Sequence, residues 1–283
     1  MFNYILCRLS QFLALRLPLQ LSYALAVFIS DVRSIFAVRD RSDVRENLKI
    51  IFPDKRDEEI AAIRRAMFRN FARCLVDFLR FSKIDQEYIQ KNVVLEGMHH
   101  FDEALAQKKG VVALSAHIGN WELGAAVIAL SGYPFSVVAF EHKHKKLAAF
   151  FRAQRERMGI GVIPLKNAAR PSIRALGENK MVALVGDIDF GGKMIKAEFF
   201  GRAVMLPQGP AALALATGAV IVPGFMLRNK DGSFTLKIEP PINFIPSGNK
   251  GEDLTQLMFK CKSVIEDYIR RYPQQWHMFR KFS

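Results

Sequence analysis

A chain of 283 residues with 41 Lys plus Arg against 27 Asp plus Glu carries a formal net charge of +14, and it is long enough to bury a sizeable core as one large domain. Such a balance suits nucleic acid, an anionic membrane surface or an acidic carrier protein. Twenty-three Phe and a mean hydropathy of +0.07 favour the membrane, and no nucleic-acid-binding motif is present.

No internal repeat, low-complexity tract or Gly/Ser/Pro-rich linker divides the sequence. Cys7, Cys74 and Cys261 lie far apart, with neither metal-ligand spacing nor a disulfide framework, so a reduced, cytosolic setting is the simplest reading.

The first segment, Met1 to Ser30, is apolar but interrupted by Arg8 and Arg16. From Leu17 to Ser30 it runs 14 residues without a charge, short of the roughly 20 that span a bilayer. With no small-residue cleavage site before Asp31, a secretory signal is not expected. The expectation is a membrane-associating helix over 1–30, lying in the interface with its arginines reaching lipid phosphates. A single catalytic domain over 31–283 follows.

Acids at Asp57, Glu58 and Glu59 open a helix to about Phe81, with Ile60, Ile63, Met67, Phe71, Cys74, Leu75 and Phe78 at helical spacing. Val93–Gly97 reads as a strand and Asp102–Lys108 as a short helix. Val111–Leu114 is an apolar, β-branched buried strand. A helix follows over Leu123–Leu130, then a strand over Phe135–Phe140. Leu147–Met158 is helical, Gly161–Pro164 a strand, Ser172–Glu178 helical and Met181–Val185 a strand. Gly209–Thr217 is a helix before the strand Ala219–Pro223. Phe234–Glu239 alternates as a partly exposed strand, and the last helix runs from about Glu252 to Arg271. Strands and helices alternate throughout, which predicts an α/β fold: a mixed, largely parallel sheet flanked by helices.

The chemistry concentrates at Ser115-Ala-His117-Ile-Gly-Asn120-Trp-Glu122. His117 falls where a strand ends and a helix begins, the edge at which α/β sheets place their sites. A carboxylate five residues later is expected to reach back and hold one imidazole nitrogen, fixing the other as a base. Asn120 and Trp121 shape the pocket.

His117-x4-Glu122 resembles the signature of the lysophospholipid/glycerolipid acyltransferase superfamily, and the Asn-Trp-Glu form looks like the branch of lipid A late (lauroyl/myristoyl) acyltransferases, related to phosphatidylinositol mannoside acyltransferases. Further segments are similar to that branch in order along the chain. They are Arg45-Glu-Asn-Leu-Lys-Ile-Ile-Phe-Pro53, Arg155-Glu-Arg-Met-Gly159, Gly186-Asp-Ile-Asp-Phe-Gly191, Phe199-Phe-Gly201 and Tyr272-Pro-Gln-Gln-Trp-His-Met-Phe-Arg-Lys281.

The resemblance implies transfer of a fatty acyl chain from an acyl-carrier-protein or acyl-coenzyme A thioester to a hydroxyl of a lipid or lipid-linked sugar. It implies work at the cytoplasmic face of the inner membrane, an anionic surface as partner, no nucleic acid, and no cofactor or metal. No Gly-x-Ser-x-Gly elbow supplies an acyl-serine, so direct transfer with His117 as base and Glu122 as its orienter is the simpler scheme. Asn120, Arg152, Arg155, Asp187 and Asp189 are then expected to contact substrate, the arginines through phosphate. Ile188 stands where the family commonly has Gln. Glu198 is a secondary acidic candidate. The rival reading takes Asp187 and Asp189 as the metal-binding pair of a hydrolase or glycosyltransferase. His142 and His144, in a basic loop, read as a surface patch rather than as metal ligands.

Overall fold

The computed structural model describes residues 2–187 and 194–282. Its frame is a seven-stranded sheet in the order β1-β9-β8-β2-β5-β3-β4, with a separate two-stranded hairpin of β6 and β7. The strands are β1 (Val93–Glu96), β2 (Val111–Ser115), β3 (Phe135–Ala139), β4 (Gly161–Pro164), β5 (Met181–Val185), β6 (Met194–Phe199), β7 (Arg202–Pro207), β8 (Val220–Arg228) and β9 (Phe234–Ile238). Every neighbouring pair in the large sheet is parallel except β8 with β9. The mixed, largely parallel sheet is the architecture that the alternation of elements predicts.

β2 lies between β8 and β5, and Val111, Val112, Ala113 and Leu114 are all buried. A strand covered on both faces needs a continuous apolar run, and this one has it. Two core clusters result. One joins Val112, Leu114 and Ile221 to Ile265, Tyr268 and Trp276. The other joins Val111, Ala113 and Val222 to Leu123, Val127 and Phe101.

The helices are α1 (Phe2–Arg16), α2 (Leu19–Phe36), α3 (Val38–Ile51), α4 (Asp57–Leu79), α5 (Gln86–Asn92), α6 (His99–Ala106), α7 (Trp121–Leu130), α8 (Lys145–Arg157), α9 (Ala169–Gly177), α10 (Gly209–Thr217) and α11 (Lys250–Arg271). The N-terminal segment corrects one expectation. Instead of one helix over 1–30 there are two, because Pro18 has no N–H to continue α1 and restricts the residue before it; the second runs on to Phe36.

α2 is long and apolar enough to cross a membrane by length and composition, yet one side of it is tied to α4. Tyr23 donates to Asp77, Ser30 Oγ donates to the Phe68 carbonyl, and Asp31 accepts a two-pronged pair from Arg69. The other side exposes Leu21, Leu25, Phe28, Ile29, Val32, Ile35 and Phe36. That spacing is a single helical stripe.

The β6–β7 hairpin was not expected. Its strands are antiparallel in the register Phe199↔Arg202, and Phe200 and Gly201 both have positive φ, +49° and +75°, the backbone of a tight two-residue turn.

Candidate functional site

β2 and β5 pair in parallel with Ser115 opposite Val185. Two residues beyond each, His117 and Asp187 leave the sheet side by side. Asp187 Oδ1 receives the hydrogen bond of His117 Nδ1 at 2.9 Å, and Oδ2 receives the His117 backbone N–H at 3.0 Å. Trp276 Nε1 donates to the same Oδ2 at 2.9 Å. The Asp187 side chain is fully buried. Burial works to raise its pKa, but the charge of His117 and the three N–H donors outweigh it and hold the carboxyl below the usual range. Nδ1 is therefore the nitrogen that Asp187 orients, a geometry in which Nε2 could serve as a base.

The turn carrying His117 is clamped from both sides. Gly119 N–H donates to the Gln275 carbonyl and Asn120 N–H to the Met226 carbonyl, each at 2.8 Å, while the His277 N–H donates to the His117 carbonyl at 2.8 Å. Gly119 has φ +62°, and a Cβ there would stand 1.9 Å from the Met226 carbonyl oxygen, so only glycine fits. Asn120, expected to touch substrate, lines the cavity and is also the N-cap of α7. Its Oδ1 accepts from Leu123 N–H and its Nδ2 donates to Asp77 Oδ2 at 2.7 Å. Asp77 also pairs with Arg228 and takes the Tyr23 hydroxyl. This buried network links α2, α4, β8 and the turn that carries His117.

Glu122 does not hold His117. Both its oxygens go to Arg155, at 3.0 Å from Nε and 2.5 Å from the terminal nitrogen. Side-chain exposures are 19% and 13%, so this is a largely buried two-pronged pair. A buried guanidinium without a carboxylate is costly, and it draws the acid more strongly than a neutral imidazole does. Arg155 thus lines the cavity with Nε and one terminal nitrogen already engaged by Glu122. Arg152 is not on the cavity wall; it pairs with Glu141 at 2.6 Å at the surface. Glu198 is an exposed residue of β6 opposite Ala203. Asp187, expected to contact substrate or metal, has its oxygens turned to His117 and Trp276. Asp189 lies outside the described residues. Among the described residues, no three His, Cys, Asp or Glu side chains group as metal ligands, and His142 lines the cavity against Phe151, ring centroids 4.6 Å apart.

His117 opens on a cavity of about 1630 Å3, above the roughly 300–1,000 Å3 of a pocket for one drug-sized ligand. Phe71, Leu75, Phe78, Ile128, Val138 and Ile173 are among the apolar side chains around it. Trp121 sits edge-on to His117, centroids 4.9 Å apart, and contacts His277 at 5.5 Å. His277 is buried on the cavity wall, and neither ring nitrogen has a hydrogen-bond partner among the described residues. Burial, then the charge of His117, pushes its pKa down to about 3.

Asp77, Arg228, Trp276 and His277 were not singled out from sequence. Asp77 was the most findable, as a lone acid inside the apolar run Cys74-Leu-Val-Asp-Phe-Leu79. Trp276 and His277 fall within the family-like C-terminal segment Tyr272–Lys281, whose pattern carries no local sign of which side chains face His117.

A family model described as bacterial lipid A biosynthesis acyltransferase matches residues 5–282. The chain is 27% identical over 220 residues to a phosphatidylinositol mannoside acyltransferase of Mycolicibacterium smegmatis, covering 76% of this chain and 70% of that one. It is 26% identical over 264 residues to the lipid A biosynthesis palmitoleoyltransferase of Escherichia coli, covering 92% and 84%. A lipid A biosynthesis acyltransferase of Haemophilus influenzae is 22% identical over 244 residues, 85% and 74% of the two chains.

Proposed function

This chain belongs to the bacterial lipid A biosynthesis acyltransferase family, an acyltransferase therefore, and from that premise we propose that it moves a fatty acyl chain from a carrier-protein or coenzyme A thioester to a hydroxyl of a lipid-linked sugar, in lipid A or related glycolipid synthesis. The observation that carries the reading is the His117–Asp187 pair at the wall of a large apolar cavity.

The acceptor hydroxyl gives its proton to His117 Nε2 as its oxygen attacks the thioester carbonyl carbon. The imidazolium so formed is held by the Asp187 carboxylate, whose buried position and fixed N–H donors need no rearrangement during the step. A new C–O bond forms, the carbonyl oxygen becomes an oxyanion, and the neutral ring of His277 offers it an N–H. Collapse breaks the C–S bond, and the leaving thiolate takes the proton back from His117. Glu122 and Arg155 brace the first turn of α7 against α8. The exposed stripe of α2 lies in the membrane interface, beside the bilayer that supplies the acceptor.

Incubation of the purified protein with an acyl thioester and a glycolipid carrying free hydroxyls, followed by mass spectrometry, tests the reading. Acceptor mass should rise by one acyl group with stoichiometric release of thiol. Thiol release without acylated lipid, by hydrolysis alone, would overturn it.

A further inference from the structure

A second cavity, of about 330 Å3, lies where α2, α3 and α4 meet. It shares no lining residue with the catalytic cavity. Phe68 lines the smaller one and Phe71, one turn further along α4, the larger. Its wall holds four arginines, Arg41, Arg64, Arg65 and Arg69, against one carboxylate, Asp31. Asp31 is spent on Arg69, which grips it at 2.9 and 2.7 Å. Arg41, Arg64 and Arg65 have no carboxylate within 4 Å among the described residues. Three guanidiniums are thus gathered with no ion-pair partner of their own, only Asp31 acting on Arg65 from farther off, an arrangement unfavourable until an anion arrives.

The charge on Arg64 is disfavoured by burial and then by Arg41, Arg45 and Arg65. The planar fork of arginine matches phosphate oxygens. The rim is not that of a site for a soluble anion. Ile35 lines the cavity and is 61% exposed; Phe36 and Val38 beside it are 78% and 63% exposed. These residues continue the apolar stripe of α2.

We propose that this cavity binds the phosphomonoester headgroup of a membrane lipid, with Arg41, Arg64 and Arg65 on the phosphate and the lipid's chains along Val32, Ile35 and Phe36. A monoester is singled out over a diester because it carries close to two negative charges at neutral pH, its second pKa lying near 6. Three cations converging without ion-pair partners discriminate between a dianion and a monoanion, which a diffuse basic surface does not. The inference does not depend on the identity of the acyl acceptor.

Vesicle flotation of the full chain tests it, comparing phosphatidylcholine vesicles doped with phosphatidate or with phosphatidylglycerol at matched surface charge. The phosphatidate vesicles should bind about tenfold more tightly, as expected for one or two added charge-assisted hydrogen bonds. The triple variant Arg41→Gln, Arg64→Gln, Arg65→Gln should lose that preference and keep its weaker binding to neutral vesicles. Circular dichroism reports folding, and the single variants Arg64→Gln and Arg65→Gln carry the test if the triple variant does not fold. Equal binding of the wild type to the two anionic vesicles would overturn the proposal, as would a preference unchanged in the variants. Inorganic phosphate that stabilises the wild type but not the variants, with no vesicle preference, would overturn the lipid source. Loss in the variants of binding to an acidic carrier protein, again with no vesicle preference, would overturn it in favour of a protein partner.

Discussion

Asp187 receives two hydrogen bonds from the same residue, His117, one from ring Nδ1 at 2.9 Å and one from the backbone N–H at 3.0 Å. The carboxylate therefore fixes the ring and the turn that carries it at once. Asp187→Asn keeps the volume but removes the charge that steadies the imidazolium and the acceptor that sets the tautomer. Turnover should fall on the order of 1,000-fold or more, by analogy with the orienting acid of a serine triad, with little change in apparent acceptor affinity. Steady-state kinetics on the folded variant checks this, and a loss confined to KM would contradict it.

Glu122 and Arg155 behave as a structural pair on this account. Glu122→Gln strands a largely buried guanidinium and should destabilise the protein by about 3 kcal/mol, within the range for breaking such pairs. Adding Arg155→Met should restore most of that loss, since removing both charges leaves neither unpaired. Denaturant midpoints of the two variants decide the matter. A stable Glu122→Gln protein would contradict the pair's structural role.

How much of this was legible in the sequence differs by element. The bounds of β4, β5 and α10 follow directly from Gly161–Pro164, Met181–Val185 and Gly209–Thr217, because apolar runs closed by glycine, proline or a change of polarity are local signals. His117 at the strand-to-helix junction was legible for the same reason. Its partner was not. Asp187 stands beside His117 only because β5 is the parallel neighbour of β2, a relation 70 residues apart in sequence, whereas Glu122 was merely close along the chain. The β6–β7 hairpin was missed because Lys196 and Glu198 look like loop residues, although they are the exposed positions of an alternating strand. The break at Pro18 is a local signal, masked by the apolar composition that runs on through both helices.

The membrane reading of α2 is best probed without truncation, since removing residues 1–30 would also delete Tyr23 from the Asp77–Arg228 network. Phe28→Glu with Ile29→Glu, on the exposed stripe, should release the protein from neutral vesicles while leaving its melting temperature unchanged. Retention on the vesicles would show that this stripe is not the contact.

His277 gives the fold a pH dependence of definite sign. Its folded pKa, about 3, lies below the unfolded value near 6.5, so the unfolded chain takes up a proton that the native state refuses. The stabilisation is whole above about pH 6.5 and is lost as pH falls toward 3, at about 1.4 kcal/mol per pH unit through the middle of that window. Asp187, with its pKa lowered in the fold, adds a further loss at still more acidic pH. Denaturation curves for His277→Phe should be flatter between pH 6 and 4 than those of the wild type. An unchanged slope would mean that His277 is protonated in the native protein.

The most direct measurement is acyl transfer by His117→Ala. In a protein that is folded and binds lipid normally, transfer from thioester to glycolipid hydroxyl should fall at least about 100-fold, the contribution of a positioned general base. Near-normal transfer by that variant would contradict the assignment of His117 as the base and, with it, the catalytic role of the His117–Asp187 pair.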